Sequence, residues 1–181
     1  MRKITLMVVA AMLALVVTSC GSTKSTVKNM PCPECKATAQ VFRYLGQHVA
    51  AGDRQIQQAR SMAAQSAREE LATMVSATVQ RVIDNYSNEY IQGDDADFKQ
   101  RIEGLSRTVV KQLLVGTPVT CEQQMAGSKD GTTICYACVE LTGQSVLDGI
   151  ANKINNDEKL RTDFEYEKFK KVFNEEMGKL E

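Results

Sequence analysis

Between Arg54 and Tyr90 this 181-residue chain runs without a single Pro or Gly. Within that stretch Ile56, Ala59, Ala63, Ala67, Leu71, Val75, Val82 and Tyr86 recur at steps of three to four, and Thr78 and Val79 bridge the one longer gap. That period is the signature of an amphipathic helix with one continuous apolar stripe. Such a long stripe in a 20.0 kDa chain dictates much of the architecture, because it must be buried against something of comparable extent. Its first half is faced by Ala, which lets another backbone approach closely. The spacing is too irregular and too Ala-rich for a heptad zipper. The pattern therefore predicts a helix lying across a sheet.

Material for the sheet flanks the helix. Ala37 to Val49 carries Val41, Phe42, Tyr44, Leu45 and Val49, a β-branched and aromatic mix that predicts a strand, ended by Gly52-Asp53. Downstream, Gly93 to Asp97 breaks the chain, and Phe98, Ile102, Leu105, Val109 and Leu113 mark a second helix that Gly116-Thr117-Pro118 ends. Val119–Met125 and Thr132–Leu141 surround a turn with Asp130-Gly131 at its tip, a hairpin signature. Period-two alternation puts Cys135, Ala137, Val139 and Leu141 on one face, and Tyr136, Cys138 and Glu140 on the other. Val146, Leu147 and Ile150 suggest a short helix. Phe169, Val172, Phe173, Met177 and Leu180 form a last apolar stripe, whose neighbouring Lys and Glu residues read as a solvated face. The order predicts an α+β fold, a small antiparallel sheet packed by a long amphipathic helix and further helices.

The amino terminus reads as an address. Arg2 and Lys3 precede the uncharged run Ile4 to Val17, shorter than the roughly 20 residues of a membrane-spanning helix and suited to a secretory signal. Val17-Thr18-Ser19-Cys20-Gly21 follows and resembles the bacterial lipobox, in which a diacylglycerol joins the Cys sulfur and the chain is cut before it. Residues 1–19 are expected to be removed, 20–36 to serve as lipid anchor and tether, and 37–181 to form one α+β domain. Gly21 is not the Asp that resembles an inner-membrane retention signal, so the implied location is the outer membrane, facing the periplasm. The membrane, reached through the anchor, and other envelope proteins are the expected partners. Lys+Arg 22 against Asp+Glu 22 gives no basic excess for nucleic acid. One His, His48, argues against multi-histidine metal sites and leaves little for His-dependent catalysis. Asp94-Asp95-x-Asp97 lacks the remaining ligands of a calcium loop and reads as a polar loop. No catalytic or metal-binding residue, no small-molecule substrate and no cofactor beyond the covalent lipid on Cys20 is assigned.

The lipobox, the strand with its aromatic residues, and the spacing Ala59-Arg60-x-x-Ala63-x-x-x-Ala67-Arg68-x-x-Leu71-Ala72 before a hairpin together resemble the twenty-kilodalton LPP lipoprotein family. The resemblance spans roughly Phe42 to Leu141 and extends to the amino-terminal domain of a flagellar assembly protein. It implies a compact α+β fold and an envelope location, and it transfers no catalytic residue. The segment Phe164 to Leu180 and the two Cys pairs lie outside the family pattern.

Five cysteines besides Cys20 need an account: Cys32, Cys35, Cys121, Cys135 and Cys138. Cys32-Pro33-Glu34-Cys35 and Cys135-Tyr136-Ala137-Cys138 have the spacing of a four-thiolate zinc site. A strand, however, sends Cys135 and Cys138 to opposite faces, and oxidising compartments favour disulfides. A zinc-stabilised interaction domain is therefore one alternative. A tethered thiol-disulfide oxidoreductase using Cys32 and Cys35, with Gly116-Thr117-Pro118 as its proline loop, is another, although no strand precedes the pair as that chemistry requires. The structural reading is one or two disulfides. A register with Gln123 opposite Thr133 would set Cys121 opposite Cys135, while Cys32 or Cys35 could instead staple the amino-terminal segment to the hairpin. An odd number of thiols leaves one free, buried or intermolecular.

Overall fold

The computed structural model describes residues 30–91 and 96–180. The chain forms β1 (Val41–Ala51), a 3-10 turn (Asp53–Gln55), α1 (Ile56–Tyr90), α2 (Ala96–Val115), β2 (Val119–Ala126), β3 (Thr132–Thr142), α3 (Gly143–Asn155) and α4 (Tyr166–Gly178). The three strands make one antiparallel sheet in the order β1-β3-β2, and the long helix packs on it. The α+β fold expected from the residue pattern is thus observed. Asp97 lies in the first turn of α2, while Asp94 and Asp95 lie outside the described residues.

β1 pairs with β3 without interruption from Val41 opposite Thr142 to Ala51 opposite Thr132. On the other side Ala126 faces Thr133, Gln123 faces Tyr136 and Cys121 faces Cys138, with a bulge between Val119 and Cys121. The expected hairpin register is therefore corrected by three residues. The reason lies in the turn. Gly127 N–H donates to Thr132 O at 2.9 Å, Thr132 N–H donates to Lys129 O at 3.1 Å, and Gly131 takes the left-handed φ of 72°, so the chain reverses around Lys129-Asp130. Cys135 consequently faces Gln124, not Cys121.

One sheet face receives α1, and the two halves of the helix meet it differently. At the Ala-rich end, Ala59, Ala63 and Ala64 pack with Ala50, Cys135 and Ala137 in a cluster of small buried side chains. Here Gly46, opposite Ala137, lies so close to the helix that a Cβ on it would fall 2.5 Å from Ala67 N and 2.9 Å from Ala67 Cβ, and inside the Ala63 carbonyl oxygen. Small residues on both partners are what allow this approach. Beyond that crossing, Leu71, Val75, Val79, Val82, Ile83 and Tyr86 enter the main core with Phe42, Val139 and residues of α2, α3 and α4. Every stripe residue from Ala59 to Tyr86 is buried.

Tyr86 anchors the far end. Its ring meets Tyr90, Phe98, Phe164 and Phe169, and its hydroxyl accepts the Glu165 N–H at 2.8 Å. Burial pushes that hydroxyl's pKa up. The bond fixes the connection between α3 and α4, a stretch without regular structure, against α1.

The last helix departs from expectation at one residue. Glu176, expected on a solvated face, is 1% exposed. It shares the inward side of α4 with Phe169, Val172, Phe173 and Met177, as its helical spacing from Phe173 requires. Arg81 Nε donates to it at 2.9 Å, Asn85 Nδ2 at 2.8 Å, and Lys179 also binds it. A buried carboxylate is tolerated because these donors satisfy it.

Burial alone would raise the Glu176 pKa. The hydrogen bonds and positive charges of Lys179 and Arg81 together outweigh it, and the carboxyl lies below its usual value of 4.5. A depressed carboxylate contributes stability that is present above the unfolded value and lost as pH falls through the folded value. Glu176→Gln is therefore expected to cost about 2 kcal/mol at neutral pH, the scale of a charge-assisted hydrogen bond. The deficit against the wild type should shrink on acidification below 4.5. Urea unfolding of both proteins between pH 7 and pH 3 checks this; a deficit that stays constant across the range would contradict it.

Candidate functional site

The features that set this domain apart gather on the sheet face away from α1. Cys138 and Cys121 are cross-strand neighbours there, and each is bonded to a cysteine of the amino-terminal segment. The bridges are Cys32–Cys121 and Cys35–Cys138, both with Cα atoms 5.9 Å apart. The local sequence explains the match. Cys35 N–H donates to Cys32 O at 2.8 Å, so Cys32-Pro33-Glu34-Cys35 is a single turn that sets its two sulfur-bearing residues side by side. The adjacent strands β2 and β3 present Cys121 and Cys138 in the same way.

Further contacts hold the segment down. Cys32 N–H donates to Gln123 Oε1 at 3.1 Å. Arg43, paired across the ladder with Glu140 at 2.6 Å, also donates to the Lys36 carbonyl at 3.4 Å. Cys32 adopts a left-handed φ of 46°, uncommon for a residue with a side chain and held here by a disulfide and by the hydrogen bond from its N–H to Gln123. Residues from Pro31 on cluster with the domain as one unit. The stretch 32–36, expected to be tether, is pinned to the sheet.

Among the described residues Cys135 is the free thiol; it is fully buried on the α1 side, with Sγ 3.8 Å from the Ile56 carbonyl oxygen. Cys135 and Cys138 do point to opposite faces. Neither Cys-x-x-Cys closes on itself, so neither presents the vicinal pair that a dithiol oxidoreductase cycles, and the Thr117–Pro118 peptide bond is trans. Of the four cysteines of the expected zinc alternative, Cys32, Cys35 and Cys138 are engaged in disulfides and Cys135 is buried on the opposite face of the sheet from Cys138. Among the described residues no group of three or more His, Cys, Asp or Glu is arranged to hold a metal ion. His48 is exposed and faces Cys135 in the ladder, but the thiol's hydrogen-bond contact is Ile56, not the imidazole. Cys20 lies outside the described residues.

The chain matches no family model, no curated protein and no solved structure. Among the described residues no helix is long and apolar enough to cross a membrane.

Several structurally decisive residues were not singled out by sequence pattern. Glu176 could have been found by extending the last stripe through its own period, and Gly46 by asking why a strand carries a Gly. A cavity of about 380 Å³ where β1, α3 and α4 meet left no signal in the sequence, because its walls come from three separate segments.

Proposed function

We propose that this chain is an outer-membrane lipoprotein, anchored through lipid on Cys20 and facing the periplasm, and that it works as a non-catalytic binding or scaffold module of the cell envelope. The observation that carries the reading is Val17-Thr18-Ser19-Cys20-Gly21 directly after a charged start and an apolar run. Acylation there would supply three chains, above the two hydrophobic signals that stable anchoring needs. Two disulfides among the described residues suit an oxidising compartment. The resemblance to the twenty-kilodalton LPP lipoproteins supports the same assignment. The non-catalytic reading rests on the placement of the reactive groups, with one thiol buried, four in disulfides, and the sole imidazole exposed and unengaged with the thiol it faces.

Metabolic labelling with palmitate tests the anchor. Wild type should incorporate label and partition with membranes, and Cys20→Ala should do neither. An unlabelled wild type found in the soluble fraction would overturn the proposal.

A further inference from the structure

The cavity between the start of β1, the start of α3 and the inner side of α4 encloses about 380 Å³, within the range of sites that hold small ligands. Its floor is apolar, with Leu147, Phe173 and Met177, and its rim carries the primary amides Gln40, Gln144 and Asn174. No charged side chain lines it, in a chain of which 24% is charged. Other concavities on the same domain are unlike it. One on α4 is walled by Glu167, Lys170, Lys171 and Glu175, and one beside α2 by Asp97, Arg101, Lys159 and Asp163.

Backbone contacts fix two walls of the cavity. Gly143 N–H donates to Gln40 O at 2.8 Å, tying the start of α3 to the approach to β1. A Cβ at Gly143 would meet Met177 Cε at 2.9 Å and Gln40 O at 3.1 Å, so the wall is set as close to α4 as a glycine permits. Thr142 Oγ1 accepts the Ser145 N–H at 3.2 Å and caps α3. The rim keeps hydrogen-bonding capacity as well. Gln144 spends an N–H on Asp148 at 2.7 Å, which leaves its carbonyl oxygen to accept, and Gln40 and Asn174 are exposed.

We propose that this cavity binds an uncharged segment of peptide chain, one or two residues long, with an aliphatic side chain on the floor and its backbone amides on the rim. A carboxylate, phosphate or ammonium would lose its hydration without gaining a counter-charge. Primary amides both donate and accept, the pattern that a peptide group presents in return. The apolar floor suits Leu, Ile or Val. The inference rests on the reading of the chain as a binding module, though not on its lipid anchor, so absence of palmitate at Cys20 would leave it standing.

The test is a nuclear magnetic resonance titration of the detergent-solubilised full chain, following the side-chain amide signals of Gln40, Gln144 and Asn174. N-acetyl-leucine methylamide is the neutral probe and N-acetyl-leucine its carboxylate counterpart. For a ligand of this size a Kd of about 1–10 mM is expected for the neutral probe, with the carboxylate at least tenfold weaker. Asn174→Asp, at an exposed position, should weaken the neutral probe several-fold while leaving the unfolding midpoint in place. Absence of saturable shifts, equal binding of the two probes, or shifts unaffected by Asn174→Asp would overturn the proposal.

Discussion

Replacing all four bridged cysteines, Cys32, Cys35, Cys121 and Cys138, by Ala is expected to cost about 8 kcal/mol, most of the 5–15 kcal/mol that a domain of this kind possesses. The two bridges span sequence separations of 89 and 103. In the chain-entropy account the first to form closes a loop of about 100 residues and contributes about 4.7 kcal/mol. Once it is in place the second closes only the short ring through both bridges, worth about 3 kcal/mol. Either bridge can act as the first, which gives the prediction a distinctive form. Cys32→Ala with Cys121→Ala, or Cys35→Ala with Cys138→Ala, should each cost only about 3 kcal/mol, and the quadruple variant should exceed the sum of the two by about 2 kcal/mol. Urea midpoints measured without reductant check this. Strict additivity would show that the bridges do not constrain one loop. The main core lies on the α1 side and uses none of the bridged cysteines, so the losses should appear in stability before they appear in the native spectrum.

Gly46→Val is expected to abolish cooperative folding, and Gly46→Ala to cost about 3 kcal/mol or more. Overpacking of a core by a methyl group typically costs 1–3 kcal/mol when side chains can rotate away. At Gly46 they cannot, because the obstructing atoms are the Ala63 carbonyl oxygen and the Ala67 amide nitrogen of α1, which belong to the helix backbone. β1 cannot retreat either, being paired with β3 along its whole length. Relief would require α1 to lift from the sheet and open the cluster of Ala50, Ala59, Ala63, Ala64, Cys135 and Ala137. Circular dichroism during urea titration distinguishes the outcomes. A Gly46→Ala protein with an unchanged midpoint would contradict the close crossing of helix and strand.

Local periodicity made the elements readable and non-local pairing did not. The stripe from Ala59 to Tyr86 declares α1, and its Ala-rich half declares a close approach, because both are properties of neighbouring turns of one helix. The hairpin was recognisable from Asp130-Gly131, yet its register depended on which residues closed the turn. A three-residue difference there changed the partner of Cys121 from Cys135 to Cys138. Glu176 reads as a surface residue by type and is buried by position, since Arg81 and Asn85 arrive from a helix some ninety residues earlier. That Cys32 and Cys35 staple the amino-terminal segment to the hairpin was among the expected alternatives and is observed, while the partner of each depends on the hairpin register and on the turn between the two cysteines. A cavity whose walls come from three segments has no counterpart in any single window of sequence.

The most direct test of the account is the intact mass of the protein extracted from its native membrane, without reductant, after alkylation in denaturant. The predicted species begins at Cys20, carries the diacylglycerol and a third acyl chain there, retains two disulfides, and takes up one alkyl group on Cys135. A chain retaining Met1 to Ser19, a mature chain without lipid, or uptake of more than one alkyl group would contradict it.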